Sequence, residues 1–277
     1  MKRTLTAPAL LAALLVLAAV AVPARAATVT ETVEKSFPLG AKGSFTIDNV
    51  NGAITVQSWD KEELKIVAVK TVKAATEEKA REALAKLQLT FKADGKSVAV
   101  AAKYPEESFW TFGWLGGGTS REISFAVMAP RGVKMGLQSV NGAVTVEAPG
   151  SDVTAETVNG RIDVSGAALL SATTVNGKVH FDVESLRSVE TTNGAIEGIV
   201  RAARPEAATV ETVNGAVILK FPAGASFRLD AENVNGSIDS EFPGLEGGKH
   251  SKGGDVNGGG NPISVEAVNG SITVAKL

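Results

Sequence analysis

The sequence predicts an all-β fold: a single-stranded β-solenoid (β-helix) with a small strand–helix–strand cap or insertion near its N-terminus. Three observations predict it. A five-residue phrase ending in Asn-Gly recurs through the chain. The residues on either side of each copy alternate apolar and polar. The composition is glycine-rich (29 Gly) and only 5% aromatic, which suits small, β-branched strands punctuated by tight corners.

Anchored on their Asn, the copies stand at Asn51, Asn141, Asn159, Asn176, Asn193, Asn214, Asn235 and Asn269. From Asn141 onward the steps are 18, 17, 17, 21, 21 and 34 residues. A period near 20 is the signature of stacked repeats. Three residues after each Asn stands Ile54, Val144, Ile162, Val179, Ile196, Val217, Ile238 or Ile272. The position two further on is mostly apolar, and the one between them mostly polar. Four residues before each Asn the column is wholly apolar, from Ile47 to Val265. Period-two alternation marks half-buried strands, so each repeat reads as strand, Asn-Gly corner, strand.

A row of hairpins with type I′ turns uses the same unit. Pairing argues against it. A two-residue hairpin sets Glu156 against Asp163, Glu190 against Glu197 and Glu232 against Asp239, and like charges directly opposite destabilise a sheet. In a solenoid the two strands lie in different sheets. Equivalent Asn residues then stack about 4.8 Å apart, close enough for their amides to bond as a ladder. Asn and Gly also tolerate the left-handed backbone of a sharp corner. The column two before the Asn is small and mostly hydroxylic (Asn49, Ser139, Thr157, Thr174, Thr191, Thr212, Asn233, Ala267) and predicts a second internal ladder.

With these rungs in view, the chain resembles the bacterial "putative adhesin" family of unknown function, exported β-solenoid proteins with repeated V-N-G-x-[IV]-x-V rungs. It is also similar to the head domain of putative autotransporter adhesins. The resemblance runs from "FTIDNVNGAITVQSW" through "ISFAVMAPRGVKMGLQSVNGAVTV" and over most of the remaining chain. It implies a β-solenoid, and it permits a role as an envelope-stress accessory protein that contacts a membrane sensor.

Residues 1–26 have a basic start (Lys2, Arg3), an apolar run from Leu10 to Val22 and an Ala-Arg-Ala cleavage site. That is the pattern of a secretory signal peptide. Residues 27–277 are then the exported β-solenoid domain, periplasmic or extracellular, with no transmembrane segment after cleavage. The chain has no cysteine, so lipoprotein attachment, disulfides and thiolate metal sites are not expected. A net charge of −2 argues against nucleic acid as a partner.

Between Asn51 and Asn141, an insertion at about 60–120 contains a strand ("ELKIVAVKTVK"), a helix ("ATEEKAREALAKLQ", N-capped by Thr76) and two strands joined at Asp94-Gly95. It reads as a cover over the first coil, since an open solenoid end would recruit other chains. Next comes "ESFWTFGWLGGGTS". Its Phe109, Trp110, Phe112 and Trp114 are either an exposed partner-binding loop or part of the cap. A glycine-rich stretch at 243–262 reads as a loop between the last two coils. A single Asp255/Asn257 copy has only slight similarity to calcium-binding glycine repeats.

For chemistry the sequence offers little. His180 and His250 are the only histidines, without metal-ligand spacing, and no cofactor is expected. Glu190, Glu211 and Glu232, read as lying on consecutive coils, form a candidate acidic face for divalent ions or a basic surface; a solvated face is the plainer reading. Asp163, Glu197 and Asp239 share an outward column at about 10 Å intervals, close to the separation of inverting glycoside hydrolases. A carbohydrate-active β-helix enzyme is therefore the alternative. The favoured reading is a non-catalytic, adhesin-like binding or scaffold protein of the bacterial cell envelope, facing an envelope polymer or protein surface.

Overall fold

The computed structural model describes residues 26–105, 118–148 and 150–277. The signal segment 1–25 and the aromatic residues Phe109, Trp110, Phe112 and Trp114 lie outside the described residues. The N-terminal part comprises β1 (Ala27–Pro38), β2 (Ser44–Asp48), β3 (Ile54–Trp59), β4 (Glu63–Ala74), α1 (Glu77–Ala85), β5 (Gln88–Ala93), β6 (Ser97–Lys103) and β7 (Ser120–Pro130). Strand pairs around each Asn-Gly corner follow: β8 (Lys134–Asn141) with β9 (Val144–Glu147), β10 (Asp152–Asn159) with β11 (Ile162–Ser165), β12 (Leu169–Asn176) with β13 (Val179–Val183), and β14 (Ser185–Asn193) with β15 (Ile196–Val200). Then come β16 (Ala208–Asn214) with β17 (Val217–Phe221), and β18 (Phe227–Asn235) with β19 (Ile238–Ser240). The chain closes with β20 (Glu246–Gly247), β21 (Ser251–Val256), β22 (Pro262–Asn269) and β23 (Ile272–Lys276).

The architecture is all-β, with two large sheets rich in parallel pairs and no closed barrel. An 11-stranded sheet runs β1-β4-β7-β3-β9-β11-β13-β15-β17-β23-β19, and a 12-stranded sheet runs β20-β21-β18-β22-β16-β14-β12-β10-β8-β2-β6-β5. The strand before each corner lies in the second sheet and the strand after it in the first. The two never pair as a hairpin, so Glu156 does not face Asp163. Each strand instead pairs in parallel with its counterpart in the next repeat, as in Ala155↔Ala172 and Ile162↔Val179. The apolar columns meet between the sheets: Ile47, Leu137, Ala155, Ala172, Val189, Val210, Ala231 and Val265 are all buried, as are Ile54, Val144, Ile162, Val179, Ile196, Val217, Ile238 and Ile272. Each buried Val or Ile contributes about 1.5–3 kcal/mol, repeated rung after rung. Gly198, an exception in its column, makes room for a neighbour: a Cβ there would sit 2.2 Å from the ring of Phe181.

At the N-terminal end β1, β4 and β7 extend the first sheet in antiparallel fashion, while β5 and β6 form a hairpin on the second. Helix α1 starts at Thr76, whose side chain accepts from Lys79 N, and buries Ala80, Ala83 and Leu84. In spite of a register offset of 90 residues, β2 pairs with β8 and β3 with β9.

The C-terminal end departs from the order the sequence suggested. Consecutive stacking places β18 beside β16. Instead β22 lies between β16 and β18, and β23 between β17 and β19. The glycine-rich stretch does join two neighbouring pairs, β18–β19 and β22–β23, but it is not merely a loop, because it carries two short strands of its own. Its strands β20 and β21 run antiparallel along the outer edge of β18, and the chain then returns to insert its last strand pair.

Candidate binding faces

The Asn-Gly corners define one edge of the stack. Asn51 Oδ1 accepts from Asn141 Nδ2, Asn141 from Asn159, Asn159 from Asn176, Asn176 from Asn193, Asn193 from Asn214, Asn214 from Asn269 and Asn269 from Asn235. All seven bonds are 2.8–2.9 Å long. They run in one direction, so the amide dipoles add along the row. None of these Asn residues has a positive φ. The Asn is therefore suited to the row by its amide and not by a left-handed backbone. A further Val-Asn-Gly at 256–258 stands off the row: Asn257 has φ 48° and donates to Ala223 O and Ala225 O.

The Gly of each corner answers a different need. A Cβ on Gly160, Gly177, Gly194 or Gly215 would lie 1.8–2.1 Å from the carbonyl oxygen of the neighbouring corner glycine. Backbone stacked on backbone leaves no space for a side chain. The expected hydroxyl ladder is likewise corrected. Thr157, Thr174, Thr191 and Thr212 do not bond one another; each Oγ1 donates to a corner carbonyl, of Gly142, Gly160, Gly177 and Gly194 respectively, at 3.1 Å. Ser139 donates to Gly52 O in the same way. Asn233 Nδ2 donates to Gly270 O, and Asn49 Nδ2 donates to Gly52 O and Ile123 O. A parallel ladder leaves that carbonyl without a backbone donor, and a buried hydroxyl one strand away satisfies it. Tyr104 closes the first corner: its OH donates to Asn51 O at 2.7 Å and lies 3.2 Å from Asn49 Oδ1. Burial pushes its phenol up to about 12.

On the outward side of the second sheet, three columns run side by side. Thr154, Ser171, Ser188, Thr209 and Ser264 align strand to strand. Beside them runs the acidic column. Its spatial order is Glu156, Thr173, Glu190, Glu211, Glu266, Glu232. Glu211 and Glu232 are thus not neighbours, since the inserted β22 places Glu266 between them. Four consecutive strands carry Glu. Burial raises the carboxyl of Glu211, and the charges of Glu266 and Glu190 on either side raise it further. The third column is mostly valine and exposed: Val140, Val158, Val175, Val213, Val268 and Val234 are each 39–64% accessible, with Thr192 on β14 between Val175 and Val213. Between the acidic and valine columns lies a shallow groove of about 250 Å³, lined by Val175, Val213, Val268, Glu190, Glu211 and Glu266. Among the described residues no group of three His, Cys, Asp or Glu is arranged to hold a metal ion.

The outward face of the first sheet carries the column weighed for catalysis. Asp163, His180 and Glu197 sit on the adjacent strands β11, β13 and β15. His180 Nδ1 lies 3.7 Å from Asp163 Oδ1, and Arg161 Nε 2.9 Å from Asp163 Oδ2. One residue pair further on, Arg201 clasps Asp182. Asp239 does not join this group. Ile218 and Thr273 separate it from Glu197, a span of about 14 Å at sheet spacing, too wide for a carboxylate pair on one glycosidic bond.

No family model and no curated protein matches the chain. Among solved structures it is similar to a putative cell adhesion protein from Clostridium sporogenes, at 11% identity over 91% of this chain and 100% of that one, with a TM-score of 0.37. It is also similar to a putative adhesin from Bacteroides fragilis, at 11% identity over 89% and 97% with a TM-score of 0.39. A putative lipid binding protein from Parabacteroides distasonis matches at 10% identity over 89% and 96%, with a TM-score of 0.30. These likenesses are distant, and the reading below rests on the chain's own geometry.

Proposed function

We propose that this chain is an exported β-solenoid that serves as a non-catalytic, adhesin-like binding or scaffold protein of the bacterial cell envelope. Residues 1–26 act as its signal peptide, and the 60–120 region covers one end of the stack. The observation that supports this most strongly is the triple column on the outer face of the second sheet. A hydroxyl, a polar or acidic group and a valine recur at about 4.8 Å intervals, interrupted by Thr192 in the valine column and by Asp230 at the end of the hydroxyl column. An extended envelope polymer, or a protein surface with its own repeat, can make the same weak contact many times. Linked weak contacts multiply into useful avidity. A shallow, wide face of this kind suits a long partner better than a small substrate, which favours a concave pocket.

Co-sedimentation of the mature protein with peptidoglycan, outer-membrane vesicles and plain liposomes tests this reading. Two variants run beside it, each checked for an unchanged circular dichroism spectrum. Val175→Ser/Val213→Ser alters the column face, and Trp110→Ala/Trp114→Ala alters the aromatic segment. Binding that the valine variant loses supports the column face as the site. Binding lost only in the tryptophan variant moves the site to the aromatic segment. No binding to any fraction contradicts an envelope-binding role.

A further inference from the structure

The last 16 residues, 262–277, form a strand pair that is inserted between two earlier pairs. Its slot has two walls, β16–β17 and β18–β19. Each wall offers a parallel edge in both sheets, and the Val-Asn-Gly register fixes how a partner fits it. Glu211, Thr212 and Asn214 line one wall; Glu232, Asn233 and Asn235 line the other. With the slot empty, both walls would expose unpaired strand edges, which are templates for another chain.

One seam of this slot lacks a bond present elsewhere in the row. The position that donates to the neighbouring glycine carbonyl is Thr157, Thr174, Thr191 and Thr212 in successive rungs. In β22 it is Ala267, which has no donor to offer Gly215 O. The buried Oδ1 of Asn233, in the facing wall, has no hydrogen-bond partner. The inserted rung is therefore less firmly bonded to β16 than the other rungs are to their neighbours. The segment that delivers it, Asn257–Asn261, is a glycine-rich hinge: Asn257, Gly258 and Gly259 all have positive φ. Asn257 donates to Ala223 O and Ala225 O, and Asn261 to Pro205 O; Ser226 Oγ donates to Asn257 O and Arg228 N to Asn261 O, so the closed hinge is held by a handful of hydrogen bonds.

We infer that segment 262–277 is an exchangeable rung, which one copy of the chain donates into the β16–β17/β18–β19 slot of a second copy. The swapped rung makes the same contacts as the native one, so exchange requires no new complementarity. Reciprocal exchange gives a closed dimer, and one-way exchange gives a growing chain.

The natural absence of cysteine makes the test direct. Thr209 and Ser264 are register partners across the seam, whereas Ser188 and Thr209 are partners in the uninterrupted part of the stack. Full-length mature Thr209→Cys and Ser264→Cys chains are unfolded together, refolded together and oxidised. Thr209→Cys with Ser188→Cys serves as control. Exchange predicts a disulfide heterodimer for the first mixture, rising with protein concentration and at least several-fold above the control. Adding Ala267→Thr restores the missing donor and lowers that yield several-fold; Ala267→Ser does the same with less volume if the Thr variant folds poorly. A heterodimer yield no higher than the control overturns the exchange. An unchanged yield in both Ala267 variants overturns the role of the seam.

Discussion

Gly177→Ala places one methyl group where two corners meet. The added Cβ would lie 1.8 Å from Gly160 O and 2.6 Å from Gly160 C. Real Cβ atoms essentially never approach closer than 3.0 Å, so the corners must separate by roughly 1 Å or more. Both clashing atoms are backbone, and no rotamer relieves them. Three bonds tie these corners together: Gly160 N to Asn176 O at 3.1 Å, Thr174 Oγ1 to Gly160 O at 3.1 Å, and Asn176 Nδ2 to Asn159 Oδ1 at 2.9 Å. At a net value of about 0.5–1.5 kcal/mol each, their loss costs about 1.5–4.5 kcal/mol. That is in the upper range for overpacking. Gly150→Ala is the comparison. It sits at φ +75° with nothing within 4 Å of its Cβ, so only left-handed backbone strain applies, about 1–2 kcal/mol. Urea denaturation followed by circular dichroism reads both. The refuting result is a Gly177→Ala midpoint equal to or above that of Gly150→Ala with an unchanged slope.

Thr174→Val keeps the shape of the side chain but leaves Gly160 O without its donor, and is expected to lower stability by about 1–2 kcal/mol in the same assay. Tyr104 is the sole tyrosine, so phenolate absorbance reports it alone. Its folded pKa of about 12, above the ordinary phenol value of 10.0, means that the folded state holds the proton longer. This contribution to stability is full below pH 10 and is lost as pH rises towards 12, and the absorbance midpoint should fall towards 10 in denaturant. Glu211 follows the same sign. Its carboxyl is raised by burial and by Glu266 and Glu190, so stability declines as pH rises through the carboxylate range. Glu211→Gln should remove part of that decline and raise the melting temperature at neutral pH.

Much of the repeat was legible because it is one-dimensional. The Asn positions, the buried columns and the assignment of each corner's strands to different sheets follow from period-two alternation and from the like charges that a hairpin would oppose. The reasons for two of the corner residues were not legible. The spacing cannot show that the Thr column points at glycine carbonyls, because the unsatisfied carbonyl exists only once strands are stacked. Nor does it show that Gly160, Gly177, Gly194 and Gly215 are required by backbone contact and not by a positive φ. Sequence order does not give the stacking order of the last rungs, because the final strand pair inserts between two earlier ones. Two signals were present: the 34-residue step before Asn269, and Ala267 where the other rungs carry Thr, Ser or Asn. The acidic column inherits that correction, with Glu266 seated between Glu211 and Glu232. Tyr104 carried no pattern of its own, since its role depends on where β6 delivers the chain to the first corner.

The order of the rungs sets which side chains adjoin on both faces, and intramolecular disulfides test it most directly. Register pairs Ser264 with Thr209 on one side and with Asp230 on the other. The structure predicts that Thr209→Cys/Ser264→Cys and Asp230→Cys/Ser264→Cys each oxidise readily within one chain, while Thr209→Cys/Asp230→Cys, two strand spacings apart, does not. Efficient closure of Thr209→Cys/Asp230→Cys, with Thr209→Cys/Ser264→Cys remaining reduced, would mean that the rungs stack in sequence order and would contradict the inserted C-terminal pair.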